Sequence, residues 1–188
     1  MLTFYFAPRS SSMAAHIALH ETGAPFEPRP LSLLRDDNHQ AAYLDVNPEG
    51  KVPALLIDGR LLTEVAGILF YLARRFPEAH LIPEDPEGAA QVVSWMSFLA
   101  SSAHPAWRTA GEDARAVYTL AEARIGADGW AVGHRLSIAD IHLFRLFWRF
   151  HAAVELQRSE FPKLFAHHDR MLARPAVQRV IAIEAALA

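Results

Sequence analysis

The sequence predicts an α/β domain followed by an all-helical domain. Three observations carry that prediction. Strand-type and helix-type patterns alternate over roughly the first 76 residues. A stretch punctuated by Pro77, Pro83 and Pro86 follows. Beyond Pro86 strand signals mostly vanish and helical periodicity dominates. The expected boundaries are therefore 1–76 for the first domain, 77–86 for a linker and 87–188 for the helical domain.

Taken in order, Leu2 to Phe6 reads as a first strand. Ser12 to Thr22 reads as a helix, stopped by Gly23 and Pro25. Phe26 to Leu31 reads as a second strand. Its Pro28 and Pro30 lack ladder donors and point to an edge position. The polar stretch from Arg35 to Gln40 precedes a short irregular helix. Pro53 then opens a strand through Leu55-Leu56-Ile57, and Asp58-Gly59 signals a type I′ hairpin turn. After Thr63 the spacing turns helical, with Ile68, Leu69, Leu72 and Phe76 on one face. Thr63 is the expected N-cap and Glu64 falls in the first turn. In the second half, helices are expected near 87–103, 112–125, 138–152, 160–173 and 175–186.

Bulk properties narrow the function classes. The 188 residues, 52% apolar and 21% charged, suit a soluble globular protein. A net charge of −3 gives no reason to expect nucleic acid or an anionic membrane surface as a partner. No apolar run is long enough to span a bilayer. The first six residues lack a basic leader and read as a strand, so a cytoplasmic protein is expected. The absence of cysteine excludes disulfides, cysteine zinc sites and a protein thiol nucleophile.

The segment from Asn47 to Phe76 carries the most chemistry. An X-Pro bond is the usual place for a cis peptide, and a cis Val52-Pro53 bond would turn the Val52 N–H and C=O outward. A peptide-like ligand could pair with them as an added strand. Glu64 has two readings. It can compensate the helix dipole, or it can hold a ligand ammonium while free N–H groups of the same turn hold a carboxylate. Ser10-Ser11-Ser12 opens the first helix, where serine is a favoured cap. His104, near a helix end, reads first as a dipole contact. His16 and His20 stand one turn apart, as metal ligands can, but no carboxylate completes the set; the same holds for His167-His168, and no metal is expected.

These motifs resemble the glutathione transferase family. The matching residues are Asn47-Pro48-x-Gly50-Lys51-Val52-Pro53-Ala54-Leu55, Leu62-Thr63-Glu64 and Ile68-Leu69-x-Tyr71-Leu72. Phe4-Tyr5-x-Ala7-Pro8 agrees at the N-terminus, and Leu136-Ser137-Ile138-Ala139-Asp140 resembles the second-domain capping motif. Trp95 and His104 fall in register, and the likeness is greatest to the bacterial beta class. The resemblance implies a thioredoxin-like first domain, glutathione as co-substrate, a hydrophobic electrophile and a homodimer. It implies that Val52 and Pro53 meet the cysteinyl backbone, Glu64 and Val65 the γ-glutamyl end, and Arg35 the glycine carboxylate. Ser12, then Ser11, are the expected hydroxyl donors to the thiolate, with Tyr5 a third candidate near the sulfur and His104 facing it. Three departures stand out. Ser11 occupies the beta-class cysteine position, Val65 replaces a common serine, and the stretch between His104 and Ser137 is short. Two alternatives remain: a glutathione-dependent isomerase of zeta type, whose typical arginines are here Ala14 and His16, and a non-catalytic binding module.

Overall fold

A computed structural model describes residues 1–106 and 112–187, Glu112 by its backbone alone. The chain divides into two compact units, residues Met1–Ala79 with Pro175–Ala188, and His80–Arg174.

The first unit is built on a four-stranded sheet. Its strands are β1 (Leu2–Phe6), β2 (Phe26–Pro30), β3 (Ala54–Ile57) and β4 (Arg60–Thr63), in the order β2-β1-β3-β4. β1 runs parallel to β2 and antiparallel to β3, and β3 and β4 form a hairpin. Proline-bearing β2 lies at an edge, where missing donors cost nothing on the open side. Asp58 and Gly59 both take positive φ, 49° and 80°, as a type I′ turn requires. β1 alternates, with Leu2, Phe4 and Phe6 buried and Thr3 and Tyr5 half-buried. α1 (Ser12–Thr22) is buried continuously from Ser12 to Leu19. Such a helix needs neighbours all round, and α1 packs on β1 and on α3 (Val65–Arg75). α2 (Ala41–Leu44) follows a 3₁₀ turn at Asp37–His39.

The remaining side of α1 is covered by the last helix, Pro175–Ala185, in chain order α9. Periodicity alone places this segment with the helical domain. It groups instead with the first unit, because Val177, Val180 and Glu184 are buried there and Glu184 bonds into that unit.

The second unit is all-helical among its described residues. α4 (Pro86–Phe98) is capped by Asp85, whose Oδ1 accepts the Gly88 N–H at 2.7 Å. It widens into a π-helical turn at Leu99–Ala103 and continues as α5 (His104–Ala106). Pro105 explains the widening: it has no N–H, and its ring would clash with the carbonyl four residues back. α6 (Glu112–Arg124), α7 (Ile138–Phe150) and α8 (Pro162–Leu172) complete the unit. The turn between α5 and α6, where the sequence reads short, falls largely outside the described residues.

α7 is the central helix, buried from Ile138 to Phe147. Its start is held by a hub. Asp140 Oδ2 accepts the Ser137 N–H and hydroxyl, each at 2.8 Å. Its Oδ1 accepts the Ala131 N–H at 2.7 Å and His167 Nε2 at 3.1 Å. The sequence expectation of a folding motif here holds, with Leu136 and Ile141 buried on either side of the cap. Trp95 donates to the Ala131 carbonyl at 2.9 Å, tying α4 to the same loop.

His142, two residues further along α7, is wholly buried. Burial, with positive Arg145 and His104 nearby, lowers its pKa to about 3. The unfolded chain therefore binds the extra proton first. Stability contributed by neutral His142 is full above pH 6.5 and is lost as pH falls from there toward 3. By pH 4.5 this one group costs about 2–3 kcal/mol. Melting profiles between pH 7 and 4.5 should show His142→Gln losing less on acidification than the parent chain; parallel profiles would exclude a titrating His142.

Candidate functional site

The Val52-Pro53 peptide bond is cis. The loop before it is fixed by side chains that occupy neighbouring carbonyls. Buried Asn38 donates to the Gly50 carbonyl at 2.8 Å, and buried Asn47 to the Lys51 carbonyl at 2.8 Å. The Tyr43 hydroxyl also donates to Lys51, and burial raises its pKa, which keeps that donor in place. Gly50 has φ 61°, and a Cβ there would sit 2.9 Å from the His39 ring and 3.2 Å from the Asn38 carbonyl. Only glycine fits both demands. The Val52 N–H bonds no protein group among the described residues and is left for another donor-seeking partner.

Strand register brings the rest of the site to this bond. Tyr5 pairs with Ala54, and Ala54 with Thr63. The end of β1, the start of β3 and the end of β4 thus meet at one end of the sheet. The cis bond lies there beside Glu64 and beside the turn that follows β1.

Glu64 is the N-cap of α3, one position later than Thr63, the expected cap. It takes φ 64° and ψ 131°, a conformation rare for a residue with a side chain. Sequence cannot reveal a positive φ at glutamate, which is why the boundary shifted. The side chain is exposed and does not cap its own helix. No acidic residue sits in the first turn of α3, so the N–H groups of Val65, Ala66 and Gly67 face an anion-ready end. Val65 itself is buried and offers only its backbone.

The three serines divide their work. Ser12 is wholly buried, and its Oγ accepts the Ala7 N–H at 3.1 Å and donates to the Ala7 carbonyl at 3.0 Å. Ser10 Oγ lies 2.7 Å from Ser12 Oγ. Ser11, half-buried, donates its hydroxyl to the Val52 carbonyl at 3.0 Å. Among the candidate hydroxyls, the structure puts Ser11 against the cis bond and turns Ser12 inward. Tyr5 is half-buried, its ring 5.4 Å from that of Tyr43. Arg35 is exposed and pairs with Asp37 at 3.1 Å. The Ser32 N–H and then Arg35 hold the Asp37 carboxyl below its usual range. His104 belongs to the second unit, where its ring stacks 6.4 Å from Phe150.

Among the described residues no three His, Asp or Glu side chains are grouped to hold a metal, and His16 is engaged by Glu184. No helix there is long and apolar enough to cross a membrane. Sequence reasoning missed Arg9, at φ 61°, and Glu184, which accepts the Arg9 N–H. A contact spanning 175 positions leaves no local signal.

Comparison with known proteins agrees with this geometry. Residues 4–80 match the glutathione S-transferase N-terminal domain and residues 103–183 the C-terminal domain. The chain is 31% identical to glutathione S-transferase GstA of Escherichia coli O157:H7, over 97% of this chain and 98% of that protein. The chain belongs to the glutathione S-transferase family. It is also 29% identical to maleylacetoacetate isomerase of Pseudomonas aeruginosa, over 95% of this chain and 93% of that one. Among solved structures, a sphingomonad glutathione S-transferase complexed with glutathione superposes with TM-score 0.86 at 31% identity, over 97% and 98% of the two chains. A bacterial beta class glutathione S-transferase from Sphingomonas chungbukensis superposes with TM-score 0.84 at 33% identity, over 97% and 98%. The thioredoxin-like and helical halves expected from the motifs are those of this transferase architecture.

Proposed function

We propose that the chain binds glutathione at the Val52-Pro53 end of the sheet and activates its thiolate for attack on a hydrophobic electrophile. The observation that carries this reading is the juxtaposition of an unoccupied Val52 N–H, the Ser11 hydroxyl and Glu64 at one end of the sheet. Val52 pairs with the cysteinyl backbone as an added strand. The Glu64 carboxylate takes the γ-glutamyl ammonium. The Val65 N–H and its neighbours at the start of α3 take the carboxylate, without the hydroxyl that a serine would add. Arg35, exchanging its Asp37 partner, takes the glycine carboxylate. Tyr5 and Pro53 line the floor. The thiol proton leaves to solvent, and the thiolate forms a carbon–sulfur bond to the electrophile, which either expels a leaving group with the electron pair of the broken carbon bond or, at an activated alkene, takes up a proton from solvent at the adjacent carbon. His104 keeps the expected role of facing the thiol, and a cytoplasmic homodimer is the expected working form.

The geometry favours Ser11 over Ser12 as the thiolate donor. A serine hydroxyl has one proton to donate, so Ser11 gives up the Val52 carbonyl to the glutathione backbone and turns that proton to the sulfur. Hydrogen bonds to a charged group are worth about 1.5–3 kcal/mol, so Ser11→Ala should raise the pKa of the bound thiol by about one to two units. Ultraviolet absorbance of the bound thiolate against pH reads this directly. Ser12→Ala should instead cost stability, by about 1–3 kcal/mol, because it strips a buried N–H of its acceptor. A thiol pKa shift confined to Ser12→Ala would reverse the two roles.

The isomerase relative supports a second reading in which glutathione is a cofactor that is not consumed. Turnover of a maleyl-diketo acid at constant glutathione concentration would favour it over net conjugation.

A further inference from the structure

The turn that presents Ser11 is clamped from the far end of the chain. Glu184, on α9, is 3% exposed. Its Oε2 accepts the Arg9 backbone N–H at 2.8 Å, and its Oε1 accepts His16 Nδ1 at 3.1 Å. A carboxylate only accepts, so His16 carries its proton on Nδ1. His16 is itself immobilised, 1% exposed, with its ring 4.6 Å from Phe6, 5.6 Å from Phe4 and 5.3 Å from His20. Arg9 is the turn's non-glycine residue of positive φ, at 61°. Such a conformation persists only where surrounding contacts over-determine it. The Glu184 acceptor supplies that contact two residues before Ser11.

We infer that Glu184 is a positioning residue for the reaction: it holds the Pro8-Arg9-Ser10 turn so that the Ser11 hydroxyl stays beside the Val52 carbonyl, from which it turns its proton to an arriving thiolate. This rests on the glutathione reading given above. Glu184 does not reach the ligand and acts through Arg9. Its loss should therefore affect the thiol and leave the Val52 and Glu64 contacts intact.

Two arms test it, using the full chain. In the first, Glu184→Ala should raise the pKa of bound glutathione by about one unit while leaving affinity for S-methylglutathione, which has no thiol, within about twofold. Glu184→Gln keeps an oxygen for the Arg9 N–H and should recover most of the parent pKa. Equal loss of affinity for both ligands, or no change in thiol pKa, overturns the inference. In the second arm, without ligand, amide exchange at Arg9 should be about tenfold faster or more in Glu184→Ala, with β1 unchanged. Where Glu184→Ala does not fold, Glu184→Gln is read in both arms, with a smaller shift of the same sign expected. If the parent chain binds neither ligand, the glutathione reading fails, and the exchange rate at Arg9 alone decides the clamp: a parent-like rate overturns it.

Discussion

Glu64→Ala should pass through a column of immobilised glutathione without retention. The lost contact is a charge-assisted bond to the ligand ammonium, worth about 1.5–3 kcal/mol, or roughly a 10- to 100-fold drop in affinity. A companion variant separates binding from folding. Glu64 holds φ 64°, which costs a side-chain-bearing residue about 1–3 kcal/mol. Glu64→Gly removes that cost and should melt higher than the parent, yet also fail to bind. The two outcomes together mark Glu64 as a residue kept for its ligand at the expense of the fold. Retention of Glu64→Ala at parental strength would sink the assignment.

Asp140→Ala should be the most destabilising single change outside the site. It removes one acceptor from four donors in a wholly buried place: the Ser137 N–H and hydroxyl, the Ala131 N–H and His167 Nε2. Breaking a buried network of this kind costs about 3–5 kcal/mol, a large share of the about 5–15 kcal/mol that holds a typical domain folded. Asp140→Asn should not rescue it, because the amide nitrogen would face either the Ser137 or the Ala131 donor. A urea midpoint for either variant within error of the parent would show that the hub is dispensable.

Much of this was legible in the residues themselves. Periodicity and prolines placed the strands, the edge position of β2 and the helices of the second unit, because those features depend on neighbours a few positions away. Asp58-Gly59 announced the hairpin for the same reason, and Val52-Pro53 marked a bond of the segment where a cis peptide was open. Three things were not legible. Glu64 displaced Thr63 as the cap of α3 through a backbone angle that no propensity encodes. The division of labour among Ser10, Ser11 and Ser12 depends on which way each hydroxyl points, and the carbonyls of Ala7 and Val52 decide that. The docking of α9 on α1 depends on Glu184 meeting Arg9 and His16, partners 175 and 168 positions away.

That docking has a consequence for how the protein is made. The first unit is discontinuous, and the 95 residues from His80 to Arg174 are synthesised between its two parts. At about 5–20 residues per second, the sheet and α1 leave the ribosome some 5–20 s before α9 exists. Throughout that interval α1, buried from Ser12 to Leu19 in the finished fold, has one flank uncovered, and the serine turn has no anchor. A nascent chain at this stage should offer that flank to holding chaperones, and should give it up only when the synthesis of α9 brings Glu184 home.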